Sequence, residues 1–309
     1  MARSANPLKR RSQGIVLMVI AMLLLPGIDA IAKSLADRIP VVQIVWARFF
    51  FQSIIVGAAA LRWLPGGLAR PVELPSQLAR GVLIALATVL FFSSLPLLPL
   101  ADAISLFFVE PLILTVLAAV LLGETIGWRR VLAVCVGFGG ALLIVQPSFE
   151  AVGPAALLPI AAAFAFALYL ILTRTLGARV EPLAMQFYAG LSGAVVMSIV
   201  LGLGQLGVVA AWQPVWPSWA DWGWLALLGA IATGGHFLVV LAFSRAPAST
   251  LAPFQYLEIL TATTLGYLVF NDLPGGIAVL GMVIIVASGL YIAWRERRLE
   301  ELEQGESGT

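Results

Sequence analysis

The chain has 309 residues, 61% of them hydrophobic and only 11% charged, with a formal net charge of +2. A soluble domain carries roughly 25% charge, so an ordinary water-facing fold is excluded, and no basic domain exists that could serve a nucleic-acid partner. A single cysteine, Cys135, and a single histidine, His236, exclude an internal disulfide and a structural zinc site.

A helix crossing the hydrocarbon of a bilayer needs about 20 mostly apolar residues. On that measure the sequence predicts an all-α integral membrane protein with ten transmembrane helices. They fall over 14–36, 41–62, 80–98, 102–122, 128–146, 154–174, 182–204, 222–244, 248–270 and 275–294. Residues 1–13 form a basic N-terminal segment, and Lys9-Arg10-Arg11, the apolar run after it and Ala30-Ile31-Ala32 together imitate a secretory signal. Retention of this first span is expected, because its removal would invert the charge asymmetry of every later loop. Within it, Asp29 and Lys33 stand four residues apart on one face, acid first, a spacing that suits a mutual ion pair. Arg48 lies about a third of the way into the second span, where Asp29, a carbonyl or an anionic part of a substrate could meet it.

The fourth span carries Glu110 directly before Pro111. Proline withholds a backbone donor and frees a carbonyl, which is tolerated at membrane depth only beside protein or water. A cavity wall is therefore expected there. The seventh span has a stripe of small residues, Gly190, Ala194, Ser198 and Gly202, that lets a helix approach closely, within the bundle or across a homodimer. Residues 205–221 read as an external loop with tryptophans suited to the membrane interface. His236 follows two glycines in the eighth span, either as a packed neutral side chain or with a substrate or proton role. Pro253, Gln255, Tyr256 and Glu258 crowd the ninth. Trp46, Phe107, Tyr169 and Tyr188 could stack on a ring or simply pack. From Glu296 onward the tail reads as a helical extension with a disordered tip.

Lys and Arg concentrate in cytoplasmic loops. With the N-terminus inside, fifteen fall on the cytoplasmic side, among them Arg62, Arg70, Arg80, Arg129, Arg130, Arg174, Arg179 and Arg245, against Arg38 alone outside. Both termini are thus expected in the cytoplasm of a bacterial-type inner membrane.

The two halves also resemble each other. Residues 98–124 align without a gap on 245–271, Lys33-Ser34-Leu35 on Arg174-Thr175-Leu176, and Pro40 on Pro182. Five spans per unit forces the second unit to enter upside down, predicting two inverted repeats, 14–147 and 154–294, followed by a cytoplasmic tail at 295–309. Such architectures bind substrate near the midplane between the repeats. Ionisable groups at that depth are functional candidates by default. Glu110, Glu258, Arg48, His236, Gln255 and Tyr256 are accordingly the candidate substrate-binding residues, with Asp29 and Lys33 as a structural or coupling pair. Two carboxylates facing one cavity favour a cationic or zwitterionic cargo, or a proton exchanged for it. No HExxH, Walker or GxSxG constellation is present, so neither an enzyme nor a cofactor is expected.

The motifs together resemble the EamA family of the drug/metabolite transporter superfamily. The resemblance rests on Asp29 and Lys33 followed by Gln43 and Arg48, on residues 99–103 (PLADA) with Glu110-Pro111, on Leu122-Gly123-Glu124 with Arg129-Arg130, and on 137–147 (GFGGALLIVQP). It implies a ten-helix bundle with a central cavity for metabolites such as amino acids, riboflavin or S-adenosylmethionine. Asn271, where an acid would match Glu124, departs from the pattern. The leading expectation is a secondary transporter of a small organic solute working by alternating access. The alternatives are a membrane enzyme and a non-transporting sensor or partner subunit.

Overall fold

The computed structural model describes residues 7–63, 73–123, 127–176, 180–246, 251 and 254–306. Among them the chain forms helices α1 (Pro7–Leu35), α2 (Val41–Trp63), α3 (Leu74–Ser94), α4 (Leu100–Phe107), α5 (Glu110–Leu122) and α6 (Trp128–Val152). After a 3-10 turn at Gly153–Leu157 come α7 (Leu158–Leu176), α8 (Pro182–Gln205), α9 (Trp219–Phe243), α10 (Leu257–Phe270) and α11 (Gly276–Glu306). No strand occurs among the described residues. Among the described residues seven segments are long and apolar enough to cross a membrane, and Leu257–Phe270 and Gly276–Ile292 add shorter apolar helices. The protein is a multi-pass helical membrane protein.

Sequence and structure differ in two informative places. The expected third span begins at Leu74 rather than at 80, because Pro75 in the first helical turn starts a helix readily. Arg80, expected at a loop edge, thereby enters the helix and is buried. The expected fourth span is two helices, broken after Phe107, with Pro111 in the first turn of α5 where its missing N–H costs least. The tail extends as helix to Glu306. Glu124, Pro253 and the start of the expected ninth span lie outside the described residues.

The main helix pairs each take one member from before the Gly153–Leu157 turn and one from after it: α1 with α9, α2 with α8, α3 with α7, and α6 with α11. Small residues set these approaches. A side-chain carbon added at Gly193 would run into the ring of Phe49, and Gly190 faces Gln52 and Ser53, so the small-residue stripe of α8 is used inside the bundle against α2. Ser198 of the same stripe accepts a hydrogen bond from Trp46 Nε1 at 2.9 Å.

Polar ties mark the two ends of the bundle. At one end Lys33 meets Asp272, Arg38 meets Asp221, and the Gln43 amide exchanges two hydrogen bonds with the backbone of Val215. At the other, Gly14 of α1 lies against Ala246 and buried Arg80 joins α3 to α7 and α8. Arg80 Nε donates to Thr173 Oγ1 (2.7 Å), Nη1 to the Met185 carbonyl (2.8 Å) and Nη2 to the Tyr169 hydroxyl (3.0 Å).

Candidate functional site

A cavity of about 250 Å³ lies between α1, α2, α3, α4, α5, α7, α9 and α10. Its walls include Asp29, Arg48, Glu110, His236, Gln255 and Glu258, drawn from five separate stretches of the chain. Phe91, Phe92, Phe107, Phe108 and Phe166 supply an apolar face. Phe91, Phe107 and Phe166 form a continuous run, with ring centroids 5.2 and 5.4 Å apart.

The helix breaks deliver these groups. Pro111 cannot give an N–H to the carbonyl of Phe107, so α4 stops and α5 restarts at Glu110, whose side chain meets the cavity at the restart. The second half repeats the device: Tyr256 interrupts the helix just before α10, and Glu258 stands in the first turn. Both α5 and α10 also end on a left-handed residue, Gly123 (φ 69°) and Asn271 (φ 57°). Gly and Asn are the residue types that adopt this conformation with least strain. Counted from these caps, Glu110 and Glu258 occupy equivalent positions.

Arg48 is buried at the cavity edge. Its Nη1 donates to Thr88 Oγ1, and the Thr88 hydroxyl donates in turn to the Ile84 carbonyl at 2.8 Å, which leaves an oxygen lone pair for the guanidinium. The guanidinium also lies 4.8 Å from the centre of the Phe49 ring. Its Nε is buried with no hydrogen-bond partner, and so is Oε1 of Glu110. Buried polar groups left unpaired cost about 1–3 kcal/mol each, more when charged. Such atoms among the walls of one cavity have hydrogen-bonding capacity for a ligand that carries both an acceptor and a donor.

His236 Nδ1 lies 2.7 Å from the Ala232 carbonyl. A carbonyl only accepts, so Nδ1 carries the proton, and in the neutral imidazole Nε2 keeps a lone pair.

Two of the expected placements are corrected. Asp29 and Lys33 form no ion pair; Lys33 Nζ instead reaches Asp272 Oδ2 at 2.7 Å and donates to the Leu98 carbonyl at 2.8 Å. Lys33 stands one helical turn nearer the end of α1, and its long stem carries the ammonium to the rim of the bundle, where the end of α10 and the loop before α4 supply acceptors. Asp29, one turn deeper, faces the cavity with Arg48 and Glu258 within electrostatic reach. Tyr256 is not among the cavity walls. Its ring packs 5.4 Å from that of Phe108, and its hydroxyl fills the space that a side chain at Gly289 would need.

Sequence reasoning missed Asp272, Thr88 and most of the phenylalanine face. Asp272 sat in an expected loop, and the signal for it was an intramembrane lysine whose partner had to lie near the end of its helix. Phe91-Phe92 and Phe107-Phe108 are aromatic doublets at membrane depth, which could have been read as a cavity wall. Trp46 and Tyr169 serve structure, through Ser198 and Arg80 respectively.

A multi-pass helical bundle with a charged, phenylalanine-lined cavity at its centre is the form of a solute carrier. The family model described as "EamA-like transporter family" matches residues 12–146 and 153–294. The chain belongs to that family and is a small-metabolite transporter. It is 28% identical over 297 residues to an S-adenosylmethionine uptake transporter of Rickettsia bellii, covering 95% of this chain and 97% of that one. It is 28% identical over 281 residues to a pseudopaline exporter of Pseudomonas aeruginosa, covering 91% and 95%. A riboflavin transporter of Rhizobium johnstonii is 29% identical over 224 residues, 72% of each chain. One crystal structure of a protein aligns with a TM-score of 0.62 over 94% of this chain and 99% of its own, at 21% identity, which speaks for the fold alone.

Proposed function

We propose that the protein is a secondary carrier of a small zwitterionic metabolite with a flat or apolar part, bound in the cavity between Arg48 and the carboxylates of Asp29, Glu110 and Glu258. The observation that carries this reading is the buried pair of unpartnered atoms, Arg48 Nε and Glu110 Oε1, on the walls of one cavity. A carboxylate on the cargo satisfies the guanidinium, an ammonium or other cation satisfies the acids, and the phenylalanine face takes the remainder. The relatives' names include S-adenosylmethionine and riboflavin, one a zwitterion and both with a flat ring system. His236 and Gln255 add a lone pair and an amide to the same walls.

The carrier crosses the inner membrane ten times, as inverted five-helix units at 14–147 and 154–294, with both termini in the cytoplasm. Counting α6 and α7 separately within the 46-residue segment Val131–Leu176, and adding the two shorter apolar helices, raises seven spans to ten. The double match of the family model and the paired left-handed caps of α5 and α10 support the repeat. Alternating access follows as a rocking of the two units about the cavity. A proton taken up by Glu110 or Glu258 is the proposed coupling ion. A non-transporting sensor would leave Arg48 and the three acids without a purpose.

The test is flux into liposomes across a panel of zwitterionic, cationic and neutral metabolites. Glu110→Gln and Glu258→Gln are expected to reach the membrane at normal levels and to lose about ten- to a hundredfold in flux, the worth of one charge-assisted hydrogen bond. Wild-type flux in both variants would place the binding site elsewhere.

A further inference from the structure

Helices α6 and α11 run antiparallel and touch where Gly140 meets Gly281; a side chain on either would collide with the backbone of the other. Between that crossing and the start of α6 the pair leaves a groove of about 470 Å³, walled by Trp128, Leu132, Val136, Ile284 and Tyr291, with Arg129 at its edge. Trp128, Leu132 and Val136 are each more than half exposed, so the groove opens outward, away from the transport cavity. The end of the groove is basic and aromatic. Arg129 lies against the Trp128 ring and Arg298 against Trp294, with guanidinium carbons 5.4 and 5.0 Å from the ring centres. Arg295 reaches back over Gly127, just before α6, with a guanidinium nitrogen 3.8 Å from the side-chain position there. None of these three arginines forms an ion pair among the described residues. In sequence Arg129, Arg130, Arg295, Arg297 and Arg298 outnumber Glu296 in this band, and Glu300, Glu301 and Glu303 follow it.

We propose that this groove binds an anionic phospholipid, with an acyl chain between α6 and α11 and the phosphate held by Arg129 and Arg295. Three features agree on that occupant. Leu132, Val136 and Ile284 give the walls an aliphatic stretch, as an acyl chain requires. Trp128, Tyr291 and Trp294 are residue types that sit at headgroup depth. The described side chains at the mouth, Arg129, Arg295 and Arg298, are cationic, which favours an anionic headgroup over a zwitterionic one. The site is independent of the transport cavity, since it shares no residue with it.

Native mass spectrometry of the full chain in mild detergent tests this, with phosphatidylglycerol, phosphatidylcholine of the same acyl chains, and glycerol 3-phosphate as a headgroup without chains. Phosphatidylglycerol is expected to be retained about thirty-fold more strongly than phosphatidylcholine, the factor that two arginines at a membrane surface supply. Glycerol 3-phosphate is expected not to survive on the protein. The double variant Arg129→Gln/Arg295→Gln should retain the two lipids equally while keeping the wild-type melting temperature after lipid removal. Equal retention of both lipids by the wild type, undiminished preference in the double variant, retention of glycerol 3-phosphate alone, or a stable dimer that excludes phosphatidylglycerol would each overturn the proposal.

Discussion

Arg80 and Arg48 are both buried arginines in the same bundle, at 2% and 7% exposure, and they are buried in opposite ways. Arg80 spends its donors on Thr173, Met185 and Tyr169 and lays its guanidinium 4.8 Å from the Tyr169 ring centre, so three helices are tied by one satisfied side chain. Arg48 has a threonine hydroxyl, a phenylalanine ring and an unpartnered Nε, beside a cavity that also holds three acids. A charge taken out of water is tolerated only if something replaces the water. At Arg80 the protein itself does so, which makes the residue structural. At Arg48 the replacement is incomplete, and the remainder is available to a cargo.

Removing each arginine should separate the two roles. Arg80→Met leaves the buried Met185 carbonyl, at about 1–3 kcal/mol, and two half-buried hydroxyls without their donor. A loss of about 3 kcal/mol or more is expected, read as a lower thermal midpoint and less monodisperse protein. Arg80→Lys should fall almost as far, because one ammonium cannot reproduce the planar fork that reaches three acceptors. Flux per folded molecule should stay near wild type. If Arg80→Met folded normally and lost flux instead, the contrast would be inverted.

Arg48→Met is expected to do the reverse. Thr88 keeps its bond to the Ile84 carbonyl, and the buried charge disappears, so the thermal midpoint should hold or rise. Liposome flux should drop about ten- to a hundredfold, and Arg48→Lys should recover little of it because the forked contact is gone. Unaltered flux in Arg48→Met would make this arginine structural too.

How much of this could be read from the sequence depends on how local the cause is. The long apolar helices followed from runs of apolar residues, and a cavity wall at Glu110 followed from Pro111, whereas the break of the expected fourth span into α4 and α5 did not. The gathering of Glu110, Glu258, Arg48 and His236 rested on depth and repeat position, and the structure brings all four to one cavity. Partners across helices were not legible. Asp29 and Lys33 have good spacing for an ion pair on an isolated helix, yet the tertiary structure offers Lys33 a better set of acceptors in Asp272 and Leu98. Tyr256 was expected in the cavity from its neighbours in sequence, but which way a residue points at a helix break is set by packing, here against Phe108 and Gly289. The sequence put Arg80 at a loop edge and Arg48 inside a span; that both are buried, and in opposite ways, only their surroundings show.

The Lys33–Asp272 pair lies between the two arginines in severity, with side chains 13% and 32% exposed at the rim. Asp272→Asn alone leaves the ammonium with the Leu98 carbonyl and is expected to lower the thermal midpoint by a few degrees. Lys33→Met/Asp272→Asn should recover most of that loss, since removing a pair whole is less damaging than breaking it. Lys33→Met/Asp29→Asn tests the partner: no recovery is expected there, and a rescue equal to that of the Asp272 double would mean that Asp29 is the true counter-ion.

The smallest effect is expected at the ion pair between Arg38 and Asp221, although its 2.7 Å separation equals that of Lys33 and Asp272. Distance is the same; exposure is not. The Arg38 side chain is 51% exposed, so water competes for the guanidinium and salt screens it. Asp221 also has a second function that survives the loss of Arg38. It closes the capping box of α9, where Ser218 Oγ accepts from the Asp221 N–H at 3.2 Å and the Asp221 carboxylate accepts from Ser218. Arg38→Gln should therefore cost less than about 1 kcal/mol, and that cost should vanish in 1 M salt, where the screening length is only about 3 Å. Asp221→Ala removes both the pair and the cap and should cost about 1 kcal/mol more than Arg38→Gln, with the excess insensitive to salt. Thermal midpoints of the two variants at low and high salt measure both numbers. A salt-insensitive loss in Arg38→Gln as large as that of Asp272→Asn would show that exposure does not rank these pairs.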